Sequence, residues 1–256
     1  MSGGATGRPP LPPASPLPRP APSPNHDARP PGTPIDVLVL HYTGMRSGPE
    51  ALGRLRDPAA QVSSHYLVEE DGTVFALVPE TRRAWHAGIS HWRGHAQLNG
   101  RSIGIEIVNP GHEWGYRDFP ALQMAAVCDL CLEILGRHPI PPWNVVAHSD
   151  IAPDRKQDPG EKFDWEGLAA NGVGLWPGPA AAPVPPASEA LALLGAIGYR
   201  TDLPLPVLLA AFQRRWRPAL VDGRADPGTM ARLAALLAAM RAAGAPPLDP
   251  APPPGA

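Results

Sequence analysis

Val37-Leu38-Val39-Leu40-His41-Tyr42-Thr43-Gly44 runs four branched aliphatic residues straight into a histidine. A continuous apolar run of this length, with Pro34 before it and Gly44 after, reads as a strand covered on both faces. A titratable ring at its end either caps the core with one hydrogen bond or points into a pocket at the sheet edge. This stretch alone leaves both open. A second stretch, Asn144-Val145-Val146-Ala147-His148-Ser149-Asp150, repeats the pattern. Two strands of one sheet that each end on histidine bring both imidazoles to the same edge.

Around these runs the spacing predicts strands over 36–41, 65–69, 74–78, 102–108 and 144–148. Glu70-Asp71-Gly72-Thr73 supplies a hairpin turn. Helical periodicity covers 48–56 and 120–138, with Pro120 suited to a first turn and Pro139 closing the pattern. Strands interleaved with helices imply an α/β sheet with helices on its faces.

The 256 residues suit one sizeable domain and a smaller one, and a hydrophobic fraction of 43% supports a real core. A formal net charge of -2 offers no basic face for a phosphate backbone, so no nucleic-acid partner is expected. The 37 prolines are unevenly spread. They mark 1–34 as an arm too poor in apolar residues to order, 177–186 as a linker and 245–256 as a second disordered tail. Between linker and tail, helical patterns over 188–197, 206–216 and 227–242 read as a compact three-helix unit, 187–244. No stretch is long and apolar enough to span a bilayer.

Ten residues after His148 lies Asp158, reached through a loop stiffened by Pro153 and closed by Pro159-Gly160. Two imidazoles and a carboxylate, with one position left for water, make up a catalytic zinc site. Zinc lowers the pKa of its bound water to about 7. Glu106 breaks the apolar run Ser102-Ile103-Gly104-Ile105-Glu106-Ile107-Val108. Strand alternation puts Gly104 and Glu106 on one face, Ile103 and Ile105 on the other. Glu106 is then either a polar residue on a surface face or, beside a metal, a base for the attacking water. Lys156 is a solvated loop lysine or, next to Asp158, a fixed cation for an oxyanion. Trp85-His86 offers an apolar plate and a hydrogen-bonding ring, fit for a sugar face or a peptide stem, or for ordinary packing. His26 and His138 read as solvent-exposed bystanders. Cys128 and Cys131, on one helical pattern with no second CxxC or histidine pair to complete a site, read as buried structural thiols.

The motifs LHYTG, VSSHYLVEEDGTV, LVPETRRAWHAG, SIGIEIVNPG and VVAHSDIAPDRKQDPGEKFDW, in this order, resemble the zinc-dependent N-acetylmuramoyl-L-alanine amidases, which share a fold with the peptidoglycan recognition proteins. The similarity spans about Asp36 to Pro177. More weakly, LGAIGYR and AFQRRWRPALVDGRADPGT resemble the three-helix peptidoglycan-binding domain of the AmiD-like branch. The resemblance implies an α/β fold with a mixed central sheet flanked by helices, a catalytic domain over 35–176 and a small C-terminal three-helix domain. It implies one zinc ion on His41, His148 and Asp158, Glu106 as catalytic acid/base and Lys156 as transition-state stabiliser. Trp85, His86 and His65 would be substrate-binding, with His65 beside the cleft and open to a structural role. The reaction implied is hydrolysis of the amide between the lactyl group of muramic or anhydro-muramic acid and L-alanine, with muropeptides as partners and a monomer as the default state.

Two other readings compete. A binding protein of the same fold would lack part of the ligand set, and here all three ligands and Glu106 are present. A zinc peptidase cutting within the stem peptide would more naturally carry an HExxH helix, which is missing. No export signal or lipid-attachment cysteine is visible at the N-terminus, so a cytoplasmic location is expected ahead of a periplasmic one.

Overall fold

A computed structural model of the chain describes residues 17–179 and 183–248. In chain order the strands are β1 (Arg19–Pro20), β2 (His26–Ala28), β3 (Val37–Tyr42), β4 (Tyr66–Val68), β5 (Val74–Ala76), β6 (Arg82–Ala84), β7 (His91–Trp92), β8 (His95–Ala96), β9 (Ser102–Ile107) and β10 (Val145–Ala147). The α-helices are α1 (Gly48–Arg56), α2 (Gly111–Trp114), α3 (Ala121–Arg137), α4 (His148–Ile151), α5 (Trp165–Ala170), α6 (Ala190–Ile197), α7 (Leu205–Trp216) and α8 (Pro227–Ala242).

Six strands form the central sheet in the order β1-β5-β4-β9-β3-β10. It is mixed. The β4–β5 hairpin is antiparallel and every other pairing is parallel. The hairpin turns where expected, with Gly72 at φ +85° and the Asp71 carboxylate accepting from the Thr73 amide.

Alternation along β3 and β9 sorts side chains to two faces. Leu38, Leu40, Ile103, Ile105 and Ile107 enter one core with Met124, Val127, Cys131 and Ile134 of α3. Those α3 positions recur at three- and four-residue spacing, the stripe a helix needs to lie on a sheet. Cys128 and Cys131 are buried free thiols in this layer, as expected. Burying each large aliphatic side chain here contributes about 1.5–3 kcal/mol.

The opposite face is covered from the C-terminal helices. Val37, Val39 and Val146 share a second core with Leu194, Ile197, Leu208, Phe212, Trp216, Leu233 and Leu236. The three helices form as expected, but not as a self-contained unit. Their apolar faces close over the sheet, because the strands of this face offer branched aliphatic residues that need cover.

Two proline-rich segments also depart from expectation. Residues 17–34 contribute two short paired strands and a few buried residues, although 1–34 reads as a disordered arm; 1–16 lie outside the described residues. β1 pairs with β5 and β2 pairs with β6. Ser23 and Asn25 are buried, and the Asn25 amide donates to the carbonyls of Asp57 and Val62, each at 2.8 Å. A proline-rich edge can join a sheet because only some of its backbone groups must pair. At the other end, Ala245 packs on the helical core and the Pro246 carbonyl accepts from Arg93. Residues 249–256 of the expected tail, and 180–182 of the expected linker, lie outside the described residues. His26 and His138 are not bystanders: His26 accepts from Arg82 at 3.2 Å and His138 meets Glu80 at 2.7 Å.

Candidate active site

The site lies at the C-terminal end of the parallel strands. β3 and β10 are hydrogen-bonded neighbours, so the histidines that follow their apolar runs emerge side by side. His148 is the first residue of α4 rather than the last of β10, which turns its ring toward His41. Asp158 is drawn in by its own backbone, whose carbonyl accepts from the Ser149 amide at 3.0 Å.

The three side chains converge. His41 Nδ1 lies 2.9 Å from His148 Nδ1 and 3.1 Å from Asp158 Oδ2, and His148 Nδ1 lies 2.9 Å from Asp158 Oδ2. All three residues are buried, at 1%, 3% and 6% exposure. Three ligand atoms at the corners of one small triangle, each offering a lone pair inward, are what a tetrahedral ion takes up. Among the described residues this is the one group of three or more His, Cys, Asp or Glu side chains arranged to hold a metal ion.

Electrostatics agree with that use. Burial disfavours the charged imidazole of His41, and the His148 ring beside it adds to the effect; together they push its pKa down to about 4, so the ring is neutral and able to ligate. Burial alone would raise Asp158, but the facing histidines outweigh it and hold the carboxyl well below its usual range.

Glu106 sits opposite His41 in the β3–β9 register. Burial pushes its carboxyl well above the ordinary value, the Asp158 charge adds to this, and Lys156 opposes it. Its Oε2 is buried with no hydrogen-bond partner. A carboxyl kept basic, with an unfilled acceptor at a cleft wall, is poised to take a proton from a bound water.

Glu106, His148, Lys156, Asp158, Trp85 and His86 all line one cleft of about 490 Å³. His65 does not. It is 0% exposed and packs edge-on against the His86 ring, 5.7 Å between centroids, its Nδ1 accepting from the Gly104 amide at 3.0 Å and its Nε2 facing the Arg82 carbonyl at 3.2 Å. Its expected place among the substrate-binding residues is therefore corrected to a structural one. Arg54, Arg155, Tyr42 and His112 line the cleft as well and were not singled out from the sequence. Exposed-looking arginines in helix and loop segments carry no pattern that separates a cleft wall from open surface.

Residues 31–161 match the family model of N-acetylmuramoyl-L-alanine amidase. The chain is 41% identical over 230 residues to the N-acetylmuramoyl-L-alanine amidase AmiD of Escherichia coli, covering 79% of this chain and 82% of that protein. It is 37% identical over 165 residues to the 1,6-anhydro-N-acetylmuramyl-L-alanine amidase AmpD of the same organism, covering 57% and 87%. Among solved structures, E. coli AmiD in complex with the substrate anhydro-N-acetylmuramic acid-L-Ala-D-gamma-Glu-L-Lys superposes with a TM-score of 0.72 at 39% identity, over 81% of this chain and 91% of that one. AmpDH3 of Pseudomonas aeruginosa superposes with a TM-score of 0.70 at 35% identity, over 79% and 91%. With both the family model and these relatives spanning the cleft and its buried triad, the chain belongs to the N-acetylmuramoyl-L-alanine amidase family and is an amide hydrolase.

Proposed function

We propose that this cleft hydrolyses the amide between the lactyl group of N-acetylmuramic or anhydro-muramic acid and L-alanine, with one zinc ion on His41, His148 and Asp158. The observation that carries the reading is the convergence of those three buried ligand atoms beside an unpartnered, basic Glu106. The donor set, two imidazoles and one carboxylate, is that of catalytic zinc. When bound, zinc polarises the scissile carbonyl and lowers the pKa of a water in the site.

The chain's own residues divide the rest of the work. Glu106 takes the proton of the attacking water at its free oxygen and delivers one to the leaving amine of L-alanine. Lys156, on the cleft wall beside Asp158, brings a cation to the oxyanion of the tetrahedral intermediate. Trp85 offers an aromatic face to the substrate, and the guanidinium groups of Arg54 and Arg155 suit the carboxylates of a peptide stem.

The test is digestion of purified muropeptides, in reducing and anhydro forms, with mass analysis of the products. Release of intact stem peptide with a free L-alanine amine, stopped by a chelator and restored by zinc, is the expected result. Binding of muropeptide without release under any zinc condition overturns the reading in favour of a recognition protein. Cleavage inside the stem overturns it in favour of a peptidase.

A further inference from the structure

The two histidines of the triad both turn Nδ1 inward, which requires their ring protons on Nε2. The hydrogen bonds around them show what enforces this. His148 Nε2 lies 3.2 Å from the carbonyl oxygen of Ala87. A carbonyl only accepts, so His148 donates from Nε2, and Nδ1 is the nitrogen left to face a metal.

His41 is governed by a longer chain. The Ser102 hydroxyl is 2.7 Å from the Leu98 carbonyl and donates its single proton there. Ser102 Oγ, 3.2 Å from His86 Nε2, is then left to accept, which places the His86 proton on Nε2. His86 Nδ1 is consequently an acceptor, and it lies 3.0 Å from His41 Nε2. His41 donates to it, and its own Nδ1 is bare. One hydroxyl thus sets the direction of three successive hydrogen bonds.

Both acceptors, His86 Nδ1 and the Ala87 carbonyl, belong to consecutive residues. That dipeptide is itself clamped. The Asn99 side-chain oxygen accepts from the His86 amide at 3.1 Å and from the Ala87 amide at 2.7 Å. Two N–H donors on one atom identify it as the oxygen rather than the nitrogen. The His86 ring fits over the sheet only because position 104 is glycine, where a Cβ would stand 2.5 Å from the ring.

We propose that His86-Ala87 is an outer frame that fixes both metal-ligand tautomers, and that Ser102 and Asn99 are the positioning residues that hold this frame. His86 in this role acts on His41 and not on substrate. The inference rests on the zinc reading of the triad. Outer partners of this kind typically change metal affinity by about 10- to 100-fold when removed.

The test has two arms. Long-range nitrogen–proton NMR on the full chain, with ring nitrogens labelled, reads the tautomers of His41 and His148 before and after zinc is added. Both are expected as Nε2–H with zinc present, and His86 as Nε2–H as well; an Nδ1–H signal on His86 overturns the chain. Zinc competition against a chelator is then compared for wild type, Ser102→Ala, Asn99→Ala and His86→Gln. Ser102→Ala and Asn99→Ala are expected to weaken zinc about tenfold or more, with His86→Gln partly retaining affinity through its amide oxygen. Zinc affinities within twofold of wild type in both positioning variants overturn the proposal. If wild type itself takes up no zinc, the zinc reading fails, while the NMR of the metal-free chain still decides the direction of the Ser102–His86–His41 chain.

Discussion

Arg215 of α7 donates to Asp150 of α4 at 2.6 Å, with 3% and 0% of the two side chains exposed. The same Asp150 oxygen accepts from the Ala147 amide at 2.9 Å, and its other oxygen accepts from the Tyr199 hydroxyl. Arg215 also reaches the Val145 carbonyl at 2.9 Å and lies over the Trp165 ring. Asp150 stands two residues after His148, so the C-terminal helices hold the turn that presents a metal ligand. The helical unit is in this respect part of the catalytic body.

Breaking that latch from one side strands a buried carboxylate. Arg215→Met is expected to destabilise the whole chain by about 3–5 kcal/mol. Thermal unfolding should move as one transition, because the two units share a core. Separate melting of the helices, with the catalytic part unchanged, would contradict the shared core.

Glu106→Gln keeps the size of the side chain and removes its basicity. Zinc content should stay at one per chain while turnover falls about 10²- to 10⁴-fold. Metal analysis and initial rates on a muropeptide check it together. Near-normal turnover in the variant would remove Glu106 from proton transfer.

Asp158→Ala removes one of three ligands, and the two histidines that remain are expected to retain zinc only weakly. Metal analysis after gel filtration should find well under one zinc per chain. Full zinc occupancy after the substitution would place the ion elsewhere.

Gly104→Ala tests the packing of the frame. Its new methyl would meet the His86 ring at 2.5 Å, so ring or strand must shift. A loss of about 1–3 kcal/mol in stability is expected, with weaker zinc binding alongside. Unchanged zinc affinity would show that the ring has room to move without disturbing His41.

Glu80 gives a pH dependence remote from the metal site. Burial works against its charge, but hydrogen bonds from Arg137, Tyr66 and His138 prevail and hold its carboxyl down to about 2. A depressed folded-state pKa contributes stability that is present above the unfolded value of about 4.3 and is lost as pH falls toward the folded one. Glu80→Gln should therefore cost about 2 kcal/mol at neutral pH. The gap between variant and wild type should shrink between about pH 4 and pH 2. Denaturant melts across that range check it, and a gap that persists at pH 2 would assign the loss to packing instead.

Much of the catalytic layer was legible in one dimension. The runs ending on His41 and His148, the glutamate at Glu106 and the spacing to Asp158 are local patterns, set by strand period and turn chemistry. Helix limits such as Gly48–Arg56 and Pro227–Ala242 followed from proline starts and apolar periodicity. The order of the β4–β5 hairpin followed from Asp71-Gly72.

What pairs across the chain was not legible. Residues 17–34 read as disordered because composition counts apolar area within a segment, while their order comes from a waiting sheet edge and from carbonyls some thirty residues away. The three helices read as independent because their periodicity shows an apolar face but not its partner. His65 and His86 read alike as cleft histidines, since a sequence does not say which of two touching rings will reach the cleft and which will be enclosed by backbone groups. The amino-acid order by itself determined the strands, the helices and the residue types able to hold a metal. Only the tertiary structure decided which carbonyl, hydroxyl or carboxylate each buried polar group would meet, because a hydrogen bond depends on distance and direction in space and not on separation along the chain.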